Sequence, residues 1–520
     1  MIARDGARVS LWQDMPPYEQ KNSSPNLEFD VAIVGGGVTG ITTAYRLQQA
    51  GKKCVVLEAS TLGFGTTGGT TAHLNTLLDT TYSEIIKKFS EDVAVHIKEA
   101  TEDAIAFIRQ TVADNNIDCA FEETSAFLFA QNDEQKKQLD DIIEGCQAVS
   151  VDYHVASEIP LPIPFAKAIE VKGQAKFHPL RYLYALAEKF EELGGVILQN
   201  HQVIDQEEEN ERCLLKTNAG VVTTKTVVYA THIPPGINLM HLRCAPWRSY
   251  AMAFTLVNDS GYPQALAYDL HDPYHYYRTQ EIDGQKYLIA GGEDHKTGQS
   301  GNTEGNFLHL ESHLRTYFDV KEVVNRWSSQ YFESSDGLAY IGHVPGMQKN
   351  TYVATGFGGN GMIYGTIAAR VLLHLLTGAE DVLIDILTPA RLKPVAGFTK
   401  FAEHNADVVK EWVGGLFTRE KIEGLVELAP GEGKIVKYEN DNLALSKDEH
   451  GVVYAVHPLC THMKCTVTWN ASEQSWDCPC HGARYAQDGK AITAPATKPL
   501  MQLLSTDEKV TMQLTEYKEE

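Results

Sequence analysis

Two short segments near the end of the chain place thiols and imidazoles at metal-ligand spacing: Cys460-Thr461-His462-Met463-Lys464-Cys465 and Cys478-Pro479-Cys480-His481-Gly482. Thiolates hold iron–sulfur clusters, and two imidazoles can replace two thiolates on one of two irons. Cys460, His462, Cys478 and His481 would make such a set for a [2Fe–2S] cluster. That centre moves single electrons and forms no bond to an organic substrate. Cys and His at short spacing also bind zinc. A zinc site, however, would face six candidates for four places, because Cys465 and Cys480 sit at matching offsets in the two loops. A one-electron carrier raises the question of where the other residues obtain electrons.

Around these ligands, Trp469-Asn470, Gly482, Tyr485, Pro495-Ala496 and Lys498-Pro499-Leu500 resemble the cytochrome-complex Rieske proteins of respiration and photosynthesis. The resemblance implies a disulfide from Cys465 to Cys480 that clamps the loops, and a Tyr485 hydroxyl donating to a cysteine sulfur. High-potential members have a serine two residues after the second histidine, where this chain has Ala483. Hydrogen bonds to the sulfurs stabilise the reduced cluster. The missing donor therefore predicts a potential below that of the quinol-oxidising members.

A second constellation stands near the start. The apolar run Asp30–Val34 reads as a strand and is followed by Gly35-Gly36-Gly37-Val38-Thr39-Gly40. A helix-like stretch from Ile41 to Ala50 comes next, then the strand Cys54–Leu57 and Glu58. A glycine motif between strand and helix, with an acid about twenty residues on, is a dinucleotide-binding unit. Gly35 allows the turn, Gly37 admits the pyrophosphate, and Gly40 lets the helix pack closely. The helix N-terminus stabilises the phosphate charge, and Glu58 would accept from ribose hydroxyls.

Further on, a Gly/Thr stretch includes Gly65, Thr66, Thr67, Thr70 and Thr71, and the strand Thr226–Tyr229 leads into Ala230-Thr231-His232. Tyr352 to Met362 reads as strand, then a turn containing Gly356, Gly358, Gly359, Asn360 and Gly361, then a helix from Met362 to Leu376. Together these resemble the D-amino-acid-oxidase-type flavoproteins, which include glycine, sarcosine and glutamylputrescine oxidases, over about 28–395. The resemblance implies FAD, with the second helix N-terminus facing the flavin edge where negative charge develops.

The expected fold class is an α/β FAD-binding Rossmann-type domain with an interleaved α+β substrate domain, plus a C-terminal all-β Rieske domain. Residues 1–27 form an N-terminal extension. The FAD-binding part takes about 28–90, 175–239 and 331–395, and the substrate part about 91–174 and 240–330. A connector at 396–423 reads as helical from Glu403, Val408, Val409 and Trp412. Residues 424–520 form the Rieske domain, whose short runs Lys434–Tyr438, Leu443–Leu445 and Val452–Val456 read as strands.

In the substrate half, His271–Arg278 is rich in aromatic residues. Tyr277 and Arg278 are candidates for lining a pocket, with Arg278 able to pair a substrate carboxylate; an ordinary strand is the plainer reading. Gly291 to Lys296 is dense in ionisable groups and makes His295 a third catalytic candidate, against a solvated turn. Some relatives attach flavin covalently to a histidine in the loop after the acid. His73 stands in a loosely similar context, and a plain pocket histidine is the simpler reading.

A chain of 520 residues exceeds one core. Its net charge of −23 argues against nucleic acid and anionic membrane surfaces. No apolar run approaches the ~18 residues that span a bilayer, and Met1–Gln20 lacks the apolar region of a secretory signal. Cys54, Cys119, Cys146, Cys213 and Cys244 are scattered, as in a reducing compartment, so the cytoplasm is expected.

The leading functional expectation is an amine or amino-acid dehydrogenase. It would pass electrons from FAD through the Rieske cluster to an external acceptor. The alternatives are reverse flow from a ferredoxin-like donor, and a redox sensor or carrier without turnover. A Rieske oxygenase is disfavoured, because no segment offers the two-His, one-carboxylate iron site.

Overall fold

Apolar runs without alternation belong in the middle of a parallel sheet covered on both faces. In the computed structural model, which describes residues 4–22, 28–391, 420–421, 428–438 and 441–505, such runs build the first sheet. Its order is Tyr340–His343, Thr351–Thr355, Gly220–Tyr229, Glu28–Val34, Cys54–Leu57, Val196–Leu198. The last five strands are parallel, with Ile33 opposite both Val56 and Val228. Tyr340–His343 pairs antiparallel at the edge. Helix Val38–Gln49 starts three residues before the expected Ile41, because Gly37, inside the glycine motif, is its N-cap. It packs on helix Gly361–Thr377, where a Cβ on Gly365 would come 2.7 Å from Thr39 Oγ1.

The second sheet carries the interleaved half. Its order is Val320–Ser334, Cys244–Leu256, Gln285–Lys296, Tyr276–Ile282, Leu266–Asp269, Glu122–Ala130, Lys167–Lys176, His73–Leu74. The long strands Cys244–Leu256 and Val320–Ser334 run antiparallel over most of their length.

The C-terminal part is all β. Glu420–Lys421, Gly433–Tyr438, Asp441–Lys447, Val453–Val456 and Gln502–Ser505 form one sheet, and Thr468–Asn470, Ser475–Asp477, Arg484–Ala486 and Ala491–Thr493 a second. The two ligand loops connect these strands. The expected helical connector lies outside the described residues except for Glu420 and Lys421, which pair as a strand beside Val436 and Lys437. Among the described residues no helix is long and apolar enough to cross a membrane.

Residues 4–22 are more than an extension. Trp12 is fully buried, and its indole N–H donates to Thr70 O at 2.6 Å. Ser10 Oγ donates to Gly68 O. At the other end, Asp5 accepts from Arg484 of the C-terminal part at 3.1 Å. Arg484 also reaches Asp477, and Asp477 reaches Arg248 of the interleaved half, each at 3.1 Å. Glu473 accepts from both Ser328 N–H at 2.9 Å and Ser328 Oγ at 2.7 Å. A buried, mutually compensated charge network thus ties the leading arm, the interleaved half and the C-terminal part together.

Candidate active site and cluster site

A cavity of about 600 Å³ runs between the first two sheets. One stretch of its wall is the glycine motif, and the geometry there requires glycine. A Cβ on Gly35, whose φ is +113°, would meet Ala230 O at 2.5 Å, and one on Gly40 would meet Gly35 O at 1.9 Å. Gly37 faces Thr67 Oγ1, which accepts from Val38 N–H at 3.1 Å. Glu58 follows the strand Cys54–Leu57, buried, accepting from Gly36 N–H at 2.7 Å and Ser60 N–H at 2.8 Å. Burial raises its carboxyl, and the backbone N–H groups of Ser60 and Gly36 oppose that. A backbone cradle at a helix N-terminus, followed by a buried acid, fits a dinucleotide.

Gly65, Thr66, Thr67, Thr70 and Thr71 line the same cavity, as do Ala230, Gly358, Gly359, Asn360, Gly361 and Met362. Gly356 does not. Its φ is +73° and its side faces Ser334 and Cys244, so its part is to turn the chain. Asp79, absent from the sequence reading, accepts from Gly359 N–H at 2.6 Å, and its own N–H donates to Asn360 Oδ1 at 2.9 Å.

The three catalytic candidates are corrected. Tyr277 is fully buried on the far face of its strand, with its hydroxyl 2.7 Å from His313 Nε2. Arg278 is fully buried and donates to Thr71 O and Ala72 O at 2.7 Å each. It braces the loop at Thr71 and Ala72 from a buried position off the cavity wall. His295 sits between Tyr250 OH at 3.0 Å and Lys296 O at 2.8 Å, off the cavity wall. Side chains alternate across a strand, and the immediate neighbours Tyr276 and Asp294 are the ones that face the cavity, joined by Tyr268, Tyr274 and Tyr331. Gly291 makes room for Tyr276: a Cβ there would lie 2.1 Å from the tyrosine Oη.

Asp294 is the chemically distinctive group. Tyr331 OH donates to it at 2.9 Å and Ser249 Oγ donates to its other oxygen. Burial, and then the charges of Asp79 and Glu333, push its carboxyl up to about 7 against those two hydrogen bonds. His73 also lines the cavity, its Nδ1 2.7 Å from Tyr268 OH. Burial, with Arg278 and Lys176 nearby, holds its imidazole neutral.

The four residues expected to hold the cluster lie on neighbouring loops. Cys460, Cys478 and His481 are buried, and the His462 and His481 rings lie 5.1 Å apart. The two thiols are within hydrogen-bond reach of each other. His462 Nδ1 is buried without a hydrogen-bond partner among the described residues, while its Nε2 lies 3.1 Å from Gly236 O. Two adjoining buried thiols and a buried, unpaired ring nitrogen fit a [2Fe–2S] cluster. Cys465 and Cys480 form the disulfide. Tyr485 Oη accepts from Thr461 N–H at 3.0 Å, and its proton has two acceptors within reach, Cys460 Sγ at 3.1 Å and Thr461 Oγ1 at 3.0 Å. Ala483 is buried and offers no hydroxyl.

Sequence reasoning left open how close the two sites are. Gly482, next to the ligand His481, accepts from Gln330 Nε2 at 2.8 Å. Gln330 lines the cavity, and its backbone O accepts from Thr66 Oγ1 at 2.8 Å. Thr493, Ala494 and Ala496 of the C-terminal part also contribute to the cavity wall.

Fold and sites together define a two-centre redox protein, a flavin-type oxidoreductase with an iron–sulfur unit docked on it. The chain belongs to the FAD dependent oxidoreductase family, whose model matches residues 30–375, and carries a Rieske [2Fe-2S] domain matched over residues 421–507. Its cofactors are FAD and a Rieske-type [2Fe–2S] cluster. It is similar across both parts to the Bacillus subtilis (strain 168) protein YhfW, named as a Rieske 2Fe-2S iron-sulfur protein. The two are 32% identical over 94% of this chain and 96% of that one. Gamma-glutamylputrescine oxidoreductase of Escherichia coli (strain K12) is 24% identical over 70% of this chain and 87% of its own. Among solved structures, glycine oxidase from Geobacillus kaustophilus superposes with a TM-score of 0.59 at 18% identity, covering 70% of this chain and 99% of that one.

Proposed function

We propose that this oxidoreductase removes two electrons from an amine or amino acid in the cavity and passes them singly through the Rieske cluster to an external acceptor. The observation that carries this reading is the contact between Gly482 and Gln330, which joins the cluster loop to the cavity wall. FAD supplies the hydride acceptor when bound, and the cluster the one-electron exit. The glycine cradle and Glu58 would hold the dinucleotide. Tyr268, Tyr274, Tyr276 and Tyr331 exclude water and orient the substrate, with Asp294 beside them to exchange a proton.

We place this work in the cytoplasm, because Cys54, Cys119, Cys146, Cys213 and Cys244 remain thiols. Reverse flow, from a ferredoxin-like donor through the cluster to the flavin, draws support from Ala483, since a lost donor lowers the cluster potential. Anaerobic mixing with panels of amines and amino acids separates the two. Flavin bleaching accompanied by a growing cluster electron paramagnetic resonance signal is the expected result. Bleaching with the cluster left oxidised sinks the exit role, and a cluster potential far above the flavin's sinks the reverse flow.

A further inference from the structure

Beside the glycine turn that leads into helix Gly361–Thr377, the cavity wall changes character. Ser249, Asp294, Tyr268, Tyr276 and Tyr331 come there from five strands of the second sheet. Tyr274 and Tyr276 stand with ring centroids 5.9 Å apart. His73 packs edge-on against Tyr268 and Tyr276 at 5.4 and 5.7 Å. The charges of Asp79 and Asp294 both act on Tyr274, Tyr276 and Tyr331, and those of Asp79 and Glu333 act on Asp294, so these groups form one local cluster. No Lys or Arg among the described residues lines the cavity. Arg278, the side chain the sequence offers for a carboxylate, is committed to loop carbonyls.

A substrate carboxylate placed here would stand among the carboxyl groups of Asp79, Asp294 and Glu333, with no Lys or Arg on the cavity wall to meet it. An ammonium group meets the reverse situation. A desolvated carboxylate attracts it strongly, and aromatic faces attract it further. Resting on the reading that this cavity oxidises an amine or amino acid, we propose that its substrate is an alkylamine bearing no carboxylate on the carbon that is oxidised. Asp294 holds it inside the belt of Tyr268, Tyr274, Tyr276 and Tyr331.

Asp294 takes one proton from the bound ammonium and so frees the nitrogen lone pair. The C–H bond beside nitrogen breaks, its electron pair leaves with the hydrogen as hydride to the flavin, and a C=N bond forms from the lone pair. Water then adds to the released iminium ion, giving an aldehyde or ketone and ammonium or the shorter amine. No further oxidant is needed.

The test uses the holoprotein and two matched probe pairs. Tetramethylammonium cannot be oxidised by this route, and trimethylglycine is the same cation with one methyl carrying a carboxylate. Calorimetry should show tetramethylammonium binding at least tenfold more tightly than trimethylglycine, and Asp294→Asn should weaken the former at least tenfold. Retained flavin and cluster spectra certify the fold of the variant, and Tyr331→Phe should give a smaller loss. Equal or tighter binding of trimethylglycine overturns the proposal. In anaerobic reduction, isobutylamine should bleach the flavin and valine should not. Bleaching by valine alone overturns this substrate class and leaves the oxidase-type function standing. If dithionite bleaches the flavin but neither family of compounds does, across the wider panels, both readings fall.

Discussion

Asp294 illustrates how a single side chain can serve a site and weaken the fold that holds it. Its carboxyl is pushed up to about 7 from an ordinary 3.8, chiefly by burial and then by Asp79 and Glu333. Between those two values the folded chain keeps a proton that the unfolded chain has released, so stability falls as pH rises through that window. Below it both states are protonated and nothing is lost. Above it the loss is complete and amounts to roughly 4 kcal/mol at most. Asp294→Asn is neutral throughout. The thermal midpoint of flavin release should therefore drop less in the variant than in the natural protein between pH 5 and pH 8. Equal drops in both would show that Asp294 is not the group responsible. The same residue marks a limit of legibility. The stretch Gly291–Lys296 stands out in the sequence as ionisable, but which of its neighbours faces inward depends on the phase of a strand. His295 and Asp294 differ by one position and by a whole face of the sheet.

At the level of elements, legibility follows the range of the interactions. The cluster ligands lie within two loops, and the dinucleotide motif spans one strand–helix–strand unit, so local spacing suffices to read them. The tyrosine belt is assembled from separated strands, and the sequence reveals the residues without their company. Trp12 and Asp5 are harder still, because nothing near them in the sequence hints at the distant loops they fill. The ligand loop at Cys478–Gly482 adds a testable constraint. Gly482 has a φ of +73°, and a Cβ there would lie 2.8 Å from both Gln330 Nε2 and Pro246 Cβ. Gly482→Ala should push the loop off the strand Val320–Ser334 and strain its own backbone, at a cost of about 1 kcal/mol or more. Stopped-flow absorbance should then show slowed cluster reduction with flavin reduction by substrate unchanged. Unaltered cluster reduction would mean that electrons do not cross at this contact.

For the whole molecule, the buried network around Asp477 decides whether the two centres stay together. Asp477 meets Arg248 and Arg484 at 3.1 Å and accepts from Asn470 at 2.9 Å and Ser475 at 2.7 Å. Removing its charge leaves two buried guanidinium groups undercompensated, a loss of roughly 3–5 kcal/mol for such pairs. Asp477→Asn should therefore release the Rieske domain from the flavin half. Small-angle scattering should report a more extended particle, and substrate electrons should stop at the flavin. An unchanged scattering profile would assign the docking to the apolar contacts instead. The bond between Arg484 and Asp5 spans 479 residues of chain, and this has a consequence for biosynthesis. Asp5 leaves the ribosome long before its partner exists, so the arm can dock fully only after the 479 residues that lead to Arg484 have been made. Because Thr493 and Ala494 complete the cavity wall, the chamber is sealed by a segment translated after the strands and turns that form the rest of it, and that late closure is the step at which a nascent chain becomes a finished vessel for its cofactor.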